Sequence, residues 1–314
     1  MTECYLCGSQ ETRVIRDHLR HGVRRNVLQC ARCGLDFLEP REKDLRAYYA
    51  TEYRKEYSPR PEEAAESQTI FDVYRPLQEE RLARLRPYLP GPAGRVLDIG
   101  CSAGHFLHAV SPHVGECVGI EFNLANAAFV RDKLGFASYT VPIEETDLRP
   151  QSFDLITCFH ALEHMPDPRA FLKTIGGYLK PGGRVYIEVP NVDDALLSVY
   201  RSEPYADFWY REPHLFNFSP STFTTLMTQA GYRGELLPVQ RYSFLNHLHW
   251  AQVGKPQGSA EVAMPAPVLV TDERAPAAVR TRLNEWIGRL DADYRQILCE
   301  TGVSESIGFI GRTA

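Results

Sequence analysis

The chain has 314 residues, with 35 Lys and Arg against 40 Asp and Glu, so its formal net charge at pH 7 is −5. Hydrophobic residues make up 44% and charged residues 24%, ordinary values for one large globular domain plus a small module, and the acidic balance argues against tight nucleic-acid binding by the whole chain. No apolar run reaches the roughly 18 residues of a membrane span, and the start, Met1-Thr-Glu-Cys-Tyr-Leu-Cys7, lacks a basic-then-apolar export signal, so the expectation is a cytoplasmic protein with no membrane partner.

The first 60 residues read as a separate module. Cys4-Tyr-Leu-Cys7-Gly8 and Cys30-Ala-Arg-Cys33-Gly34 have the same form. Two cysteines separated by two residues can chelate one ion, and the glycine that follows allows the turn that aims backbone N–H groups at the sulfurs. Together Cys4, Cys7, Cys30 and Cys33 supply four thiolates for a structural Zn²⁺. Residues 12–16 and 23–28 between them read as short strands of a zinc ribbon. The other cysteines, Cys101, Cys117, Cys158 and Cys299, are scattered and read as reduced thiols. Residues 1–60 hold 12 Lys and Arg against 9 Asp and Glu. Four thiolates around zinc bring that small excess close to neutrality, which favours a structural or substrate-capping role over RNA contact. Tyr49, Tyr53 and Tyr57 recur every four residues, one face of a helix, and read as a packing stripe. Pro59-Arg-Pro61 opens a linker, so the domains expected are 1–60 and 61–314.

Residues 70–89 have helical periodicity and stop at Pro90-Gly-Pro92. Val96, Leu97 and Ile99 then form a short apolar run suited to a buried parallel strand, interrupted by Asp98. Gly100 and Gly104 follow where a strand must turn into a helix; glycine there permits unusual dihedrals and close approach of a ligand. Glu121 closes the next strand, 23 residues after Asp98, the separation at which an acid can take the hydroxyls of a ribose. Further strands are expected at 137–141, 153–159 and 184–190, alternating with helices. That alternation implies a parallel sheet covered on both faces, with ligands at the carboxyl ends of its strands.

Val96-Leu-Asp-Ile-Gly-Cys-Ser-Ala-Gly104 resembles the first motif of class I S-adenosylmethionine (SAM)-dependent methyltransferases. The run FDLITCFHALEHMPDP from Phe153, with LKPGGRVYIEVPN ending at Asn191, is similar to the second half of the same core. Ser102 replaces the middle glycine of the usual Gly-x-Gly-x-Gly, which weighs against a pyrophosphate ligand. The resemblance implies an α/β fold: a Rossmann-like seven-stranded methyltransferase sheet behind the zinc-ribbon module. It implies a SAM site formed by Tyr74, Asp98, Gly100, Cys101, Ser102, Gly104, Glu121, Phe122, Ile143 and His160. Pro142 and Ile143 stand where the family often has an acid, so Ile143 is expected to pack on the adenine. His160, Glu163 and His164 would share one face if helical. That arrangement suits hydrogen bonds that pin the loop, a general base, or a divalent metal.

A helix at 219–231, with Ser219 as cap, Pro220 and terminal Gly231, should lead to strands near 235–241 and 306–311. Two insertions remain. Residues 192–218 are rich in aromatics and read as a long lid loop that selects the substrate. His214 within it is the preferred general base, ahead of His160 and His164. Residues 242–303 include a helix near 277–299 whose apolar stripe, Leu283 to Leu298, should pack on the core or on a second subunit as a homodimer.

The enzyme expected is therefore a methyltransferase moving the SAM methyl to a small polar acceptor. A zinc ribbon before a class I core resembles bacterial enzymes of sugar and natural-product biosynthesis, which points to a nucleotide-linked sugar or related glycan intermediate. The alternatives are an RNA methyltransferase that contacts RNA through the ribbon, and a SAM-binding protein without catalysis.

Overall fold

The computed structural model describes residues 2–40, 48 and 66–314. Among these the strands are β1 (Thr12–Leu19), β2 (Val23–Cys30), β3 (Asp36–Leu38), β4 (Arg95–Ile99), β5 (Glu116–Ile120), β6 (Ala137–Tyr139), β7 (Phe153–Phe159), β8 (Leu179–Pro190), β9 (Phe216–Asn217), β10 (Tyr232–Val239) and β11 (Ser306–Thr313). They form two sheets, ordered β1-β2-β3-β9 and β10-β11-β8-β7-β4-β5-β6. By contact the chain groups into two units. One comprises Met1–Glu39, Pro190–Thr222 and Leu237–Ile307; the other comprises Pro40–Val189, Phe223–Leu236 and Gly308–Ala314.

The 60/61 boundary, the Tyr49/Tyr53/Tyr57 stripe and the Pro59–Pro61 linker lie outside the described residues. The described residues group differently from the 1–60 and 61–314 division: the ribbon shares a unit with 192–218 and 242–303. The reason is a long-range pairing. β9 runs antiparallel to β3, with Asp36 opposite Asn217 and Phe37 opposite Phe216, so a segment read as a lid adds a strand to the N-terminal sheet.

In the first unit, β1, β2 and β3 are antiparallel. Leu19, Val27 and Leu38 pack with Leu196, Tyr205, Trp209, Tyr210 and Trp250. Residues 192–218 are not a long loop. Asp194 and Ser202 cap two short helices, Ala195–Ser198 and Glu203–Trp209, by accepting the N–H groups of Leu196 and Tyr205. Tyr205, Trp209, Tyr210, Phe216 and Phe218 are buried and Tyr200 is exposed. Large rings remove more apolar area from water in a core than in an open lid, and that term decides where these go. Helix Ala277–Glu300 buries Ile287 and Leu298 and packs on helix Phe244–Val253, but Leu283 at its start is exposed.

In the second unit, β4 pairs in parallel with both β5 and β7, β5 with β6, and β7 with β8. The chain lays β5 and β6 on one side of β4, then returns to place β7 on the other. That reversal makes the carboxyl ends of β4 and β7 the switch point where α/β sheets bind ligands. Val96, Leu97, Val118, Leu155, Ile156, Val185 and Ile187 are buried, as two covered faces require. The helix expected over 70–89 is broken into Ser67–Tyr74 and Gln78–Leu85, with 3₁₀ turns at Arg75–Leu77 and Arg86–Tyr88. Pro76 and Pro87 each lack the N–H that a continuous helix needs. Lys180–Gly183 bulges out between the pairs Phe153↔Leu179 and Leu155↔Arg184.

Candidate active site

The turn after β4 holds three residues in the left-handed region: Gly100 (φ 75°), Ser102 (φ 52°) and Gly104 (φ 75°). The N–H groups of Gly100 and Cys101 donate to the Ile120 carbonyl at 2.8 and 3.1 Å, which ties the turn to the end of β5. A Cβ at Gly104 would lie 2.8 Å from both Leu134 Cδ1 and Val130 Cγ2. Dihedral and space therefore both demand glycine there. Gly104→Ala should cost about 2 kcal/mol or more of stability, since left-handed strain alone costs ~1–2 kcal/mol and forced packing adds to it. Urea unfolding of the variant measures this.

Glu121 follows β5 directly. Its Oε2 accepts the Ser102 N–H at 2.8 Å and its Oε1 accepts the Asn123 N–H at 2.7 Å. The carboxylate is thus fixed against the turn by two backbone donors. A carboxylate has about four acceptor positions, so these bonds do not exhaust it. Asn123 in turn caps helix Leu124–Asp132. Asp98 is 2% exposed and accepts the Thr157 hydroxyl at 2.7 Å. Burial pushes its carboxyl up to about 7. Its bond to Thr157 ties β4 to β7 just before the turn.

Tyr74 packs on the cluster of Ile70, Phe71 and Ala103, with its ring 5.6 Å from that of His105. Phe122 is half-buried. Ile143 is buried and opens a 3₁₀ turn, Ile143–Glu145, whose Thr146 hydroxyl donates to the Ile143 carbonyl at 2.7 Å.

His160 follows β7 in the left-handed region, φ 52°. Its N–H donates to the Glu188 carbonyl at 2.8 Å. Its Nε2 lies 3.0 Å from Glu188 Oε1. The segment after it is a 3₁₀ turn, Leu162–His164, rather than an α-helix. Glu163 sits between the imidazoles, with Oε1 3.9 Å from His160 Nδ1 and 3.7 Å from His164 Nε2. The His160 side chain is 30% exposed and that of His164 is 9% exposed. His214 belongs to the other unit, is 3% exposed, and stands edge-on to Trp209.

Within the second unit the fold thus gathers Tyr74, Asp98, Gly100, Cys101, Ser102, Gly104, Glu121 and His160 around the ends of β4, β5 and β7. No motif singles out Thr157, Arg81, Tyr186 or Glu188. Glu188 did leave a signal: it is a lone acid inside an apolar strand, as Asp98 is in β4.

A methyltransferase-domain family model matches residues 69–237. The chain belongs to that family. The curated relatives include ubiquinone biosynthesis O-methyltransferases. That of Idiomarina loihiensis is 30% identical over 132 residues, 39% of this chain and 54% of that protein. That of Acinetobacter baylyi is 29% identical over 129 residues, 38% and 54% of the two chains. The chain thus spans about half the length of these relatives. Among solved structures, a SAM-dependent methyltransferase from Archaeoglobus fulgidus has a TM-score of 0.50 at 23% identity, covering 78% of this chain and 97% of that one. Phosphoethanolamine N-methyltransferase 2 of Haemonchus contortus has a TM-score of 0.51 at 16% identity, covering 88% and 61%. These two share the methyltransferase-domain fold.

The ribbon unit carries the second candidate site. Cys4 Sγ lies 3.6 Å from Cys33 Sγ, and Cys7 Sγ lies 3.5 Å from Cys30 Sγ. All four sulfurs fall within 4.8 Å of one another. Zinc–sulfur bonds of about 2.3 Å place tetrahedral sulfurs about 3.8 Å apart, so the group fits the ion.

Proposed function

We propose that the chain transfers the methyl group of SAM to a small polar acceptor. The observation that carries this is the Glu121 carboxylate, pinned by the Ser102 and Asn123 N–H groups beside a turn with three left-handed residues. SAM supplies an electrophilic methyl on a sulfonium. Everything else falls to the chain. Gly100, Cys101, Ser102 and Gly104 offer a backbone cradle without obstructing side chains. Glu121 takes the ribose hydroxyls, and Asp98, bonded to Thr157, ties β4 to β7 before the turn. Phe122 and Ile143 enclose the base, and Tyr74 covers the site. The turn fits such a ligand in that Gly100 and Gly104, both left-handed, add no side chain to it.

For the acceptor's proton we propose His160. It stands at the switch point and is the most exposed of the three imidazoles, whereas His164 and His214 are enclosed. An imidazole can take a proton near neutral pH as the methyl transfers. The acceptor we propose is a nucleotide-linked sugar or related glycan or natural-product intermediate. The four-cysteine module ahead of a methyltransferase core supports it. O-methylation of an aromatic hydroxyl is the second reading, suggested by relatives that are ubiquinone biosynthesis O-methyltransferases. The matched 132 residues favour it.

Labelled SAM incubated with nucleotide sugars, catechols and structured RNA decides among these. Methylated sugar nucleotide is the expected product. Methylated catechol would move the acceptor to the second reading. Salt-dependent RNA methylation would revive the RNA alternative. SAM binding with no product from any acceptor would leave a non-catalytic binder. A homodimer is also proposed, through the exposed Val279, Leu283 and Trp286 of helix Ala277–Glu300. Sedimentation equilibrium should give twice the chain mass, and Trp286→Glu should return the monomer.

A further inference from the structure

We propose that Glu188 is the positioning residue of His160, holding its imidazole in one orientation and one tautomer. The proposal rests on the reading of His160 as the group that takes the acceptor's proton.

Glu188 lies near the end of β8 and is fully buried. The side chains of Tyr186, Arg81 and His160 converge on it. Tyr186 donates its hydroxyl to Oε2 at 2.9 Å. Arg81 presents Nη2 to Oε1 at 3.3 Å. His160 presents Nε2 to the same Oε1 at 3.0 Å. Burial, then the adjacent carboxylate, push the Tyr186 phenol up, so it serves as a donor. The Arg81 guanidinium is always a donor; it also lies 4.2 Å over the Phe159 ring. With a donor on each oxygen, Glu188 is an acceptor toward His160 as well. Nε2 therefore carries the hydrogen of that bond. In the neutral ring this puts the lone pair on Nδ1, the edge that lies 3.9 Å from Glu163 Oε1 and away from Glu188.

The backbone is held by the same residue. His160 has φ 52°, a region that costs a non-glycine residue of order 1–3 kcal/mol unless its surroundings enforce it. The His160 N–H bond to the Glu188 carbonyl, at 2.8 Å, enforces it. Main chain and ring are thus clamped on one residue of the neighbouring strand. The clamp also reaches the helix Gln78–Leu85 through Arg81. A surface residue would not need a buried carboxylate, an arginine and a tyrosine to fix its ring. Strain that is held in this way marks functional positions.

Glu188→Gln keeps the size and one acceptor but adds an amide donor that can face Nε2. The test has two arms. In the first, ¹⁵N-histidine NMR of the full chain reads the tautomer. Wild type should show His160 with protonated Nε2, and Glu188→Gln should shift it toward protonated Nδ1. Tyr186→Phe, which leaves Oε1 untouched, should not. In the second, kcat should fall about 100-fold, within the range of a positioned proton acceptor, with KM for SAM changed less than about threefold. In a His160→Asn background the further loss from Glu188→Gln should vanish, because both act through one imidazole. An unchanged tautomer overturns the proposal, as does a full further loss in the His160→Asn background. If wild type transfers no methyl, the function falls, but the NMR arm still decides whether Glu188 sets the ring.

Discussion

Replacing Cys30 by serine should strip zinc from the protein and unfold its N-terminal sheet. The wild type is expected to hold about one zinc per chain by elemental analysis. The geometry leaves few other uses for the four thiols. A disulfide needs sulfurs about 2.05 Å apart, and the cysteines are free, with the nearest pairs at 3.5 and 3.6 Å. Gly8 and Gly34 adopt φ 72° and 78°, and their N–H groups close turns on the Cys4 and Cys30 carbonyls at 2.8 and 3.0 Å. Those are the knuckle turns that the repeated Cys-x-x-Cys-Gly pattern requires. Cys30 ends β2, so the knuckle terminates the strand pairing itself. Burial resists a thiolate there, but the N–H groups of Cys33 and Arg32 overcome it and hold the Cys30 thiol down to about 7.

Metal binding to isolated zinc modules contributes about 10–16 kcal/mol of apparent folding free energy at pH 7. Here Val27 and Leu38 also pack on the aromatic cluster around Trp209, so part of the sheet's stability is independent of the ion. The expected loss is therefore smaller, about 5 kcal/mol, the upper range for one substitution. Hydrogen exchange should show it: amides of β1 and β2 lose protection in Cys30→Ser and on chelation of the wild type. Wild-type protein purified without chelator and free of zinc would remove the prediction.

The parts of the fold that were legible share one property: their pattern is local. Each parallel strand is a short apolar run between glycine or proline punctuation, and each knuckle is five residues long. The failures have non-local or competing causes. Nothing near Phe216 or Asn217 announces that they pair with Phe37 and Asp36, about 180 positions earlier. That pairing joins a segment whose rings are buried to the N-terminal sheet. Pro76 and Pro87 were visible, but the apolar period around them was strong enough to mask the breaks. The candidate site divides in the same way. The glycine turn was readable because backbone dihedrals dictate residue type at Gly100 and Gly104. Thr157, Arg81 and Glu188 were not, because each matters through a partner on a different strand or helix.

Glu121→Ala should weaken binding of S-adenosylhomocysteine by about 30- to 100-fold, or roughly 2–3 kcal/mol, the value of hydrogen bonds to a charged group. Two losses contribute. The ribose loses its acceptor, and the Ser102 and Asn123 N–H groups lose theirs. The second loss is felt at the turn, since Ser102 holds φ 52° against a left-handed penalty of about 1–2 kcal/mol. Removing its N–H partner frees the residue to relax and takes the cradle with it. Glu121→Gln separates the two effects. Its amide oxygen can still accept one backbone N–H, but the charge is gone and its NH₂ faces a second donor. The turn should survive in part, and affinity should fall about 10-fold. Titration calorimetry measures both variants, and urea unfolding without ligand reports the turn alone. If Glu121→Ala lost stability but bound the ligand as wild type does, Glu121 would be a brace for the turn and not a ribose contact. An equal loss of affinity in both variants would point instead to the carboxylate charge, with Asp98 already pushed toward neutrality by burial.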